Sequence, residues 1–255
     1  MLTFVGLGLY DELDISLRGL EAVKTADVVF AEFYTSVLVG TTIEKLEQLY
    51  GKKVNLLRRE EIEEGFESLL TLAREKNVVL LCAGDSMIAT THAFLRAEAM
   101  RRGIKTWIVH GASIYTAAPA LLGLHIYKFG RCVSLPRPEE GFFPVSPYYA
   151  ILKNREMGLH TLILLDIKAE HGYFMSANEG LSILLEMEAR EKKGLVRPET
   201  ELCVVARAGS RDCVAAYGCI RKLLDMDFGK PPHVLVFPGE LHFSEEESLE
   251  LIKVR

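Results

Sequence analysis

Short, nearly unbroken apolar runs punctuate the chain. Residues 2–6, 27–32, 54–57, 77–83 and 106–110 are too short for stable helices and mostly lack an alternating polar position. They are predicted to be strands buried on both faces. Between them, apolar positions recur at helical spacing. The clearest case places Ile62, Phe66, Leu69, Leu70 and Ala73 on one face and predicts a single helix across 62–73. Strands alternating with helices imply a mostly parallel sheet covered on both sides. Thr41-x-x-Glu44, Ser176-x-x-Glu179 and Ser244-x-x-Glu247 match the capping box, in which two side chains satisfy free N–H groups at a helix start.

The pattern changes after about residue 115. Residues 131–149 carry Pro136, Pro138, Pro144 and Pro147 with Gly141, and are predicted to be loop-rich. A helix over 147–157 follows, then a strand at 160–167 (HTLILLDI), a helix over 176–192, and strands at 201–206, 213–219 and 233–237. The reading is of two α/β domains, 1–112 and 113–255, the first with a mostly parallel sheet and the second with a mixed one. Residues 106–127 contain no Lys, Arg, Asp or Glu and are long enough to span a bilayer. His110, Gly111, Pro119 and His125 break that run, and a strand, a glycine turn and a buried helix are expected instead.

Composition narrows the classes. With 255 residues, 49% of them hydrophobic, the chain can build a substantial core. A formal net charge of −5 and the lack of a basic stripe argue against direct nucleic-acid binding. The five cysteines are odd in number and include no C-x-x-C pair, which fits a reducing cytoplasm rather than a disulfide framework or a zinc knuckle. The N-terminal residues lack the basic region of a signal peptide, and no metal site is expected.

The unusual residues fall where strands end. Open α/β sheets take ligands beyond the carboxyl ends of their strands. Gly6-Leu7-Gly8-Leu9, Gly84-Asp85, Gly111-Ala112-Ser113-Ile114, Leu165-Asp166 and Ala208-Gly209 all lie at such ends, and suggest one shared cleft between the two domains. GLGLYD with Glu32 at the second strand's end has part of a dinucleotide fingerprint but lacks its third glycine. It is either a nucleotide loop or a tight turn. Asp85 either caps a helix beginning near Ile88 or accepts hydrogen bonds from a ligand. His92 shares a face with Ile88, Leu95 and Ala99, as a core histidine would, and Cys82 lies inside its strand, where a thiol is inert. His233, after Pro231-Pro232, is either structural or reaches a ligand through ring or backbone. On these features alone, a NAD-dependent oxidoreductase and a non-enzymatic nucleotide-binding regulatory module both stay open.

Taken in order, MLTFVGLGLYDELDISLRGLE, FAEFYTS, GDSMIATTH, HGASI, YKFG, GLHTLILLDIK and PPHVLVFPG resemble, nearly end to end, the tetrapyrrole-methylase-like (class III) family of S-adenosylmethionine methyltransferases. They are closest to its diphthine-forming branch in the archaeal form, which lacks the insert of longer eukaryotic relatives. The resemblance implies S-adenosyl-L-methionine as cofactor and S-adenosyl-L-homocysteine as product. It places cofactor contacts at Leu9, Asp85, Ile88, Ser113, Ile114, Leu165, Ala208 and His233. It implies methylation of the amino group of 3-amino-3-carboxypropyl-histidine on translation elongation factor 2, by a cytoplasmic homodimer. The resemblance assigns no proton acceptor; Asp166, Asp85 or water could serve. The loop at 136–147 is a candidate edge for the protein substrate. Two positions depart from the family's habit. Ser86 stands where Pro often follows Gly-Asp, and Gly111 where Asn often precedes Ala-Ser-Ile.

Overall fold

A computed structural model describes residues 1–34, 36–63 and 65–254. Thr35, within the FAEFYTS motif, and Glu64, inside the predicted helix 62–73, lie outside the described residues. The chain divides into two compact units. The first holds residues 1–114 and 168–172, and the second holds 115–167 and 173–255.

In the first unit, β1 (Leu2–Gly6), β2 (Val28–Glu32), β3 (Val54–Leu57), β4 (Val78–Cys82) and β5 (Thr106–Val109) form one sheet in the order β3-β2-β4-β1-β5. Every pairing in it is parallel. The pleat explains the unbroken apolar runs. Val5, Val29, Val79 and Leu81 pack into a core on one face, while Leu2, Phe4, Val78 and Leu80 pack into another on the opposite face. Because the strands are parallel, the loops after β4, β1 and β5 leave side by side from one edge.

The second unit is built on β6 (Val133–Leu135), β7 (Thr161–Leu165), β10 (Glu201–Ala206), β11 (Val214–Cys219) and β12 (His233–Phe237), in the order β11-β10-β12-β7-β6. The sheet is mixed: β6 and β7 are parallel and the other pairs antiparallel. Its main core packs Leu135, Ile163, Val204 and Leu235 against Tyr148 and Ile151 of the helix Ser146–Glu156 and Leu181 and Leu184 of the helix Ala177–Glu191. The short strands β8 (Ile167–Lys168) and β9 (Tyr173–Phe174) pair with each other.

Several expectations are corrected. The apolar face over 62–73 belongs to two helices, Arg59–Glu63 and Glu67–Glu75, with the Gly65 N–H closing back on the Glu60 carbonyl at 2.7 Å. The helix after Asp85 begins at His92, not near Ile88. Ser176 caps its helix as expected, but the other two boxes shift. Thr42 caps the helix Ile43–Tyr50, and His242 with Glu245 forms the box before Phe243–Glu250. The strand β6 lies inside the segment expected to be loop. The apolar stretch 106–127 contains β5 and the helix Ile114–Leu122, and no helix of the described residues is long and apolar enough to cross a membrane.

Candidate active site

Three loops meet at the carboxyl edge of the first sheet, backbone against backbone. Gly8 and Gly84 form an isolated antiparallel bridge, their N–H groups reaching each other's carbonyls at 3.2 and 2.6 Å. Both have positive φ, +87° and +74°, a region that glycine enters without penalty. A Cβ on Gly6 would sit 2.6 Å from the Gly84 carbonyl oxygen and 2.7 Å from the Gly111 nitrogen. One on Gly111 would sit 2.5 Å from the same oxygen. The departure at Gly111 therefore has a structural meaning. The backbone here follows a path that only a residue without a side chain can take.

This contact sets the flanking side chains. Leu9 follows the bridge, half-buried, with its N–H on the Asp14 carboxylate at 3.1 Å; the Tyr10 N–H shares that oxygen at 2.6 Å. Asp85 is 6% exposed. Its Oδ1 accepts from the Met87 N–H at 2.9 Å, closing a turn rather than capping a helix, and its Oδ2 lies 2.7 Å from His110 Nδ1. Ile88 is partly exposed, Ser113 is buried, and Ile114 opens its helix half-buried. Leu9, Asp85, Ile88, Ser113 and Ile114 all belong to the loops leaving this edge.

In the second unit, the register Val234↔Leu164 and Ala206↔His233 puts Leu165, His233 and the turn holding Ala208 at one end of the sheet. His233 Nδ1 accepts from the Ala177 N–H at 3.0 Å, and its Nε2 faces the Lys230 carbonyl at 3.2 Å. Both ring nitrogens are thus committed, and burial lowers the ring's pKa. His233 can meet a ligand through ring face or backbone. Asp166 accepts from the Arg137 N–H at 3.0 Å.

Glu32 proves to be interior. It is 1% exposed, level with Cys82 in the β2–β4 register, and its Oε1 lies 3.7 Å from His92 Nε2. His92 Nδ1 sits 2.9 Å from the Ser86 carbonyl, which can only accept, so Nδ1 carries the hydrogen. Burial lowers the His92 pKa. Burial, with the charges of Glu32 and Asp85, raises the Cys82 thiol well above its usual value and leaves it unreactive. Glu32, Cys82 and His92 could together hold a metal ion, a grouping that no local spacing in the sequence reveals. Their burial takes Glu32 away from the ribose-binding position expected of a dinucleotide enzyme.

Comparison with known proteins decides between the open readings. The family described as Tetrapyrrole (Corrin/Porphyrin) Methylases matches residues 1–215. A diphthine synthase from Methanocaldococcus jannaschii is 47% identical over 254 residues, covering 99% of this chain and 98% of the relative. One from Methanosarcina acetivorans is 51% identical over 255 residues, covering 98% and 94%. A crystal structure of diphthine synthase superposes with a TM-score of 0.90 at 41% identity, covering 99% of this chain and 95% of the other. The chain belongs to the diphthine synthase family of tetrapyrrole methylases. As a diphthine synthase family member it needs a pocket for a nucleoside bearing a charged sulfur. The residues at the edge of the first sheet fit one: Asp85 can accept further hydrogen bonds beyond its two present partners, and Leu9, Ile88 and Ile114 offer apolar surface. Sequence reading missed two residues that shape this edge. Asp14 holds the loop at Leu9, and His110 pairs with Asp85. HGASI puts a histidine at a strand tip, but its pairing with Asp85 follows from the sheet order and not from local spacing.

Proposed function

We propose that the protein transfers methyl groups from S-adenosyl-L-methionine to the amino group of 3-amino-3-carboxypropyl-histidine on translation elongation factor 2, giving diphthine. The observation that carries this reading is likeness to diphthine synthases over essentially the whole chain, at 47% identity across 254 residues. The sulfonium of the bound cofactor makes its methyl electrophilic without further activation. The protein's work is then alignment, which supplies about 7–11 kcal/mol in well-oriented systems. In this reading Leu9, Asp85, Ile88, Ser113, Ile114, Leu165, Ala208 and His233 contact the cofactor. Asp85 accepts from its amino or hydroxyl groups, and the apolar residues hold adenine and thioether. Residues 1–112 and 113–255 act as the two functional domains, and the enzyme works as a cytoplasmic homodimer.

The test is intact-mass measurement of elongation factor 2 carrying the aminocarboxypropyl-histidine, after incubation with the protein and S-adenosyl-L-methionine. Stepwise methyl increments that vanish when the target histidine is replaced are expected. No increment, with cofactor binding confirmed by calorimetry, would assign the protein another methyl acceptor.

A further inference from the structure

The proposed reaction needs a proton acceptor. At neutral pH an alkyl amine is held mostly as its ammonium, whose nitrogen has no lone pair to attack with. We propose that His110 is that acceptor and that Asp85 is its positioning residue. This deepens the methyl-transfer reading above and rests on it.

The two residues come from loops that leave one edge of the sheet on either side of the β1 loop. The register Val5↔Val109 sets His110 level with Gly6, and Gly6 is paired with Cys82, three residues before Asp85. His110 Nδ1 lies 2.7 Å from Asp85 Oδ2. The exposures are opposite: the His110 side chain is 72% exposed and that of Asp85 is 6%. A carboxylate only accepts, so Nδ1 carries the hydrogen and the Nε2 lone pair is left for chemistry. A buried acid fixing the tautomer of an exposed imidazole is the working arrangement of a general base. Asp85 is itself held by the Met87 N–H at 2.9 Å, so the pair is anchored at its inner end.

Other candidates fit the task less well. His92 and Glu32 are each 1% exposed and out of reach of a side chain carried on another protein. His233 has both ring nitrogens engaged. Asp166 already accepts the Arg137 N–H, and as a carboxylate it is a far weaker base than imidazole.

The step balances as follows. The substrate ammonium gives one proton to His110 Nε2. The freed nitrogen pair forms the N–C bond to the methyl carbon as the S–C bond breaks, and that bond's electrons stay on sulfur. The imidazolium then returns its proton to water. Each methyl added therefore releases one proton.

The experiment measures single-turnover methyl transfer to modified elongation factor 2, and S-adenosyl-L-homocysteine affinity by calorimetry, for wild type and His110→Ala. A positioned base contributes about 10²–10⁴-fold. We expect His110→Ala to transfer methyl at least about 100-fold more slowly, to bind S-adenosyl-L-homocysteine as wild type does, and to regain rate when free imidazole is added. Transfer at the wild-type rate, a loss of rate matched by a loss of cofactor affinity, or no rescue by imidazole would each overturn the assignment. If wild type itself adds no methyl, the methyl-transfer reading fails and takes the base with it. If wild type is active and His110→Ala equally so, only the base fails.

Discussion

Asp85 spends one oxygen on the Met87 N–H and the other on His110, and each carboxylate oxygen can accept a further hydrogen bond from the proposed cofactor. Asp85→Ala should leave the fold standing, because Asp85 belongs to a loop turn and not to the sheet or a helix, and its partner His110 is largely exposed. A hydrogen bond to a charged group is worth about 1.5–3 kcal/mol. The dissociation constant for S-adenosyl-L-homocysteine should therefore rise about 10- to 100-fold by calorimetry, with only a few degrees lost from Tm. An unchanged constant would confine Asp85 to the turn and to His110. At this scale the sequence was half legible. Gly-Asp at a strand tip marks a candidate site, because glycine and a lone acid are unusual after six apolar residues. The hydrogen bond to His110 links residues 25 apart and depends on how β4 and β5 flank β1, which no local spacing encodes.

Among the elements, strands were read closely and helix ends were not. A parallel strand buried on both faces is mostly apolar, so β1 and β4 stand out as runs buried at every position; β3 lies at the sheet's edge with Asn55 and Leu56 exposed. β6 escaped because it spans three residues in a proline-rich stretch. Helix starts depend on one side chain, and Thr41 and Thr42 look alike in sequence. The cap at His242 was illegible for a further reason: Glu245 serves it while also joining residues far away. Glu245 is fully buried and accepts from the His125 N–H at 2.7 Å, the His242 N–H at 2.8 Å, Lys128 Nζ at 2.6 Å and His160 Nε2 at 3.0 Å. Burial alone would raise its pKa, but these donors outweigh it and hold the carboxyl down to about 2.

The sign follows from that depression. The unfolded chain takes a proton near pH 4.5 and the folded one only near 2, so Glu245 contributes stability above pH 4.5 that is lost as pH falls through 2. The gap is worth about 3 kcal/mol. His92, His160 and His233 act in a higher window. Burial depresses each, so their contribution is present above the ordinary value of 6.5 and is lost as pH falls below it. Thermal melts should show Tm falling from pH 7 to 5 and again from 5 to 2. Glu245→Gln should lower Tm at pH 7 and flatten the acidic limb. A limb as steep as wild type's would remove Glu245 from the account.

For the molecule as a whole, each unit carries its own core, and the change from a parallel to a mixed sheet was visible in the change of rhythm near residue 115. What the rhythm could not give is surface. Tyr127 and Phe243 are 77% and 67% exposed. They join through rings: Tyr127 stacks on His125, His125 meets His242 at 5.4 Å, and His242 meets Phe243 at 4.2 Å. Exposed large apolar side chains are the kind that interaction surfaces use, and in the proposed homodimer Tyr127 and Phe243 are candidates for the contact. Sedimentation equilibrium should return twice the chain mass of 28.5 kDa. A single-chain mass at micromolar concentration would count against it.

The meeting of Gly6, Gly84 and Gly111 has a mechanical consequence. Side chains can change rotamer and absorb a displacement, but touching main chains cannot. The three loop roots therefore behave like gear teeth in mesh, with their spacing set by atomic radii. A Cβ added at Gly6 or Gly111 would have to push these roots apart, so a substitution there is expected to displace the loops that carry Leu9, Asp85 and His110 together.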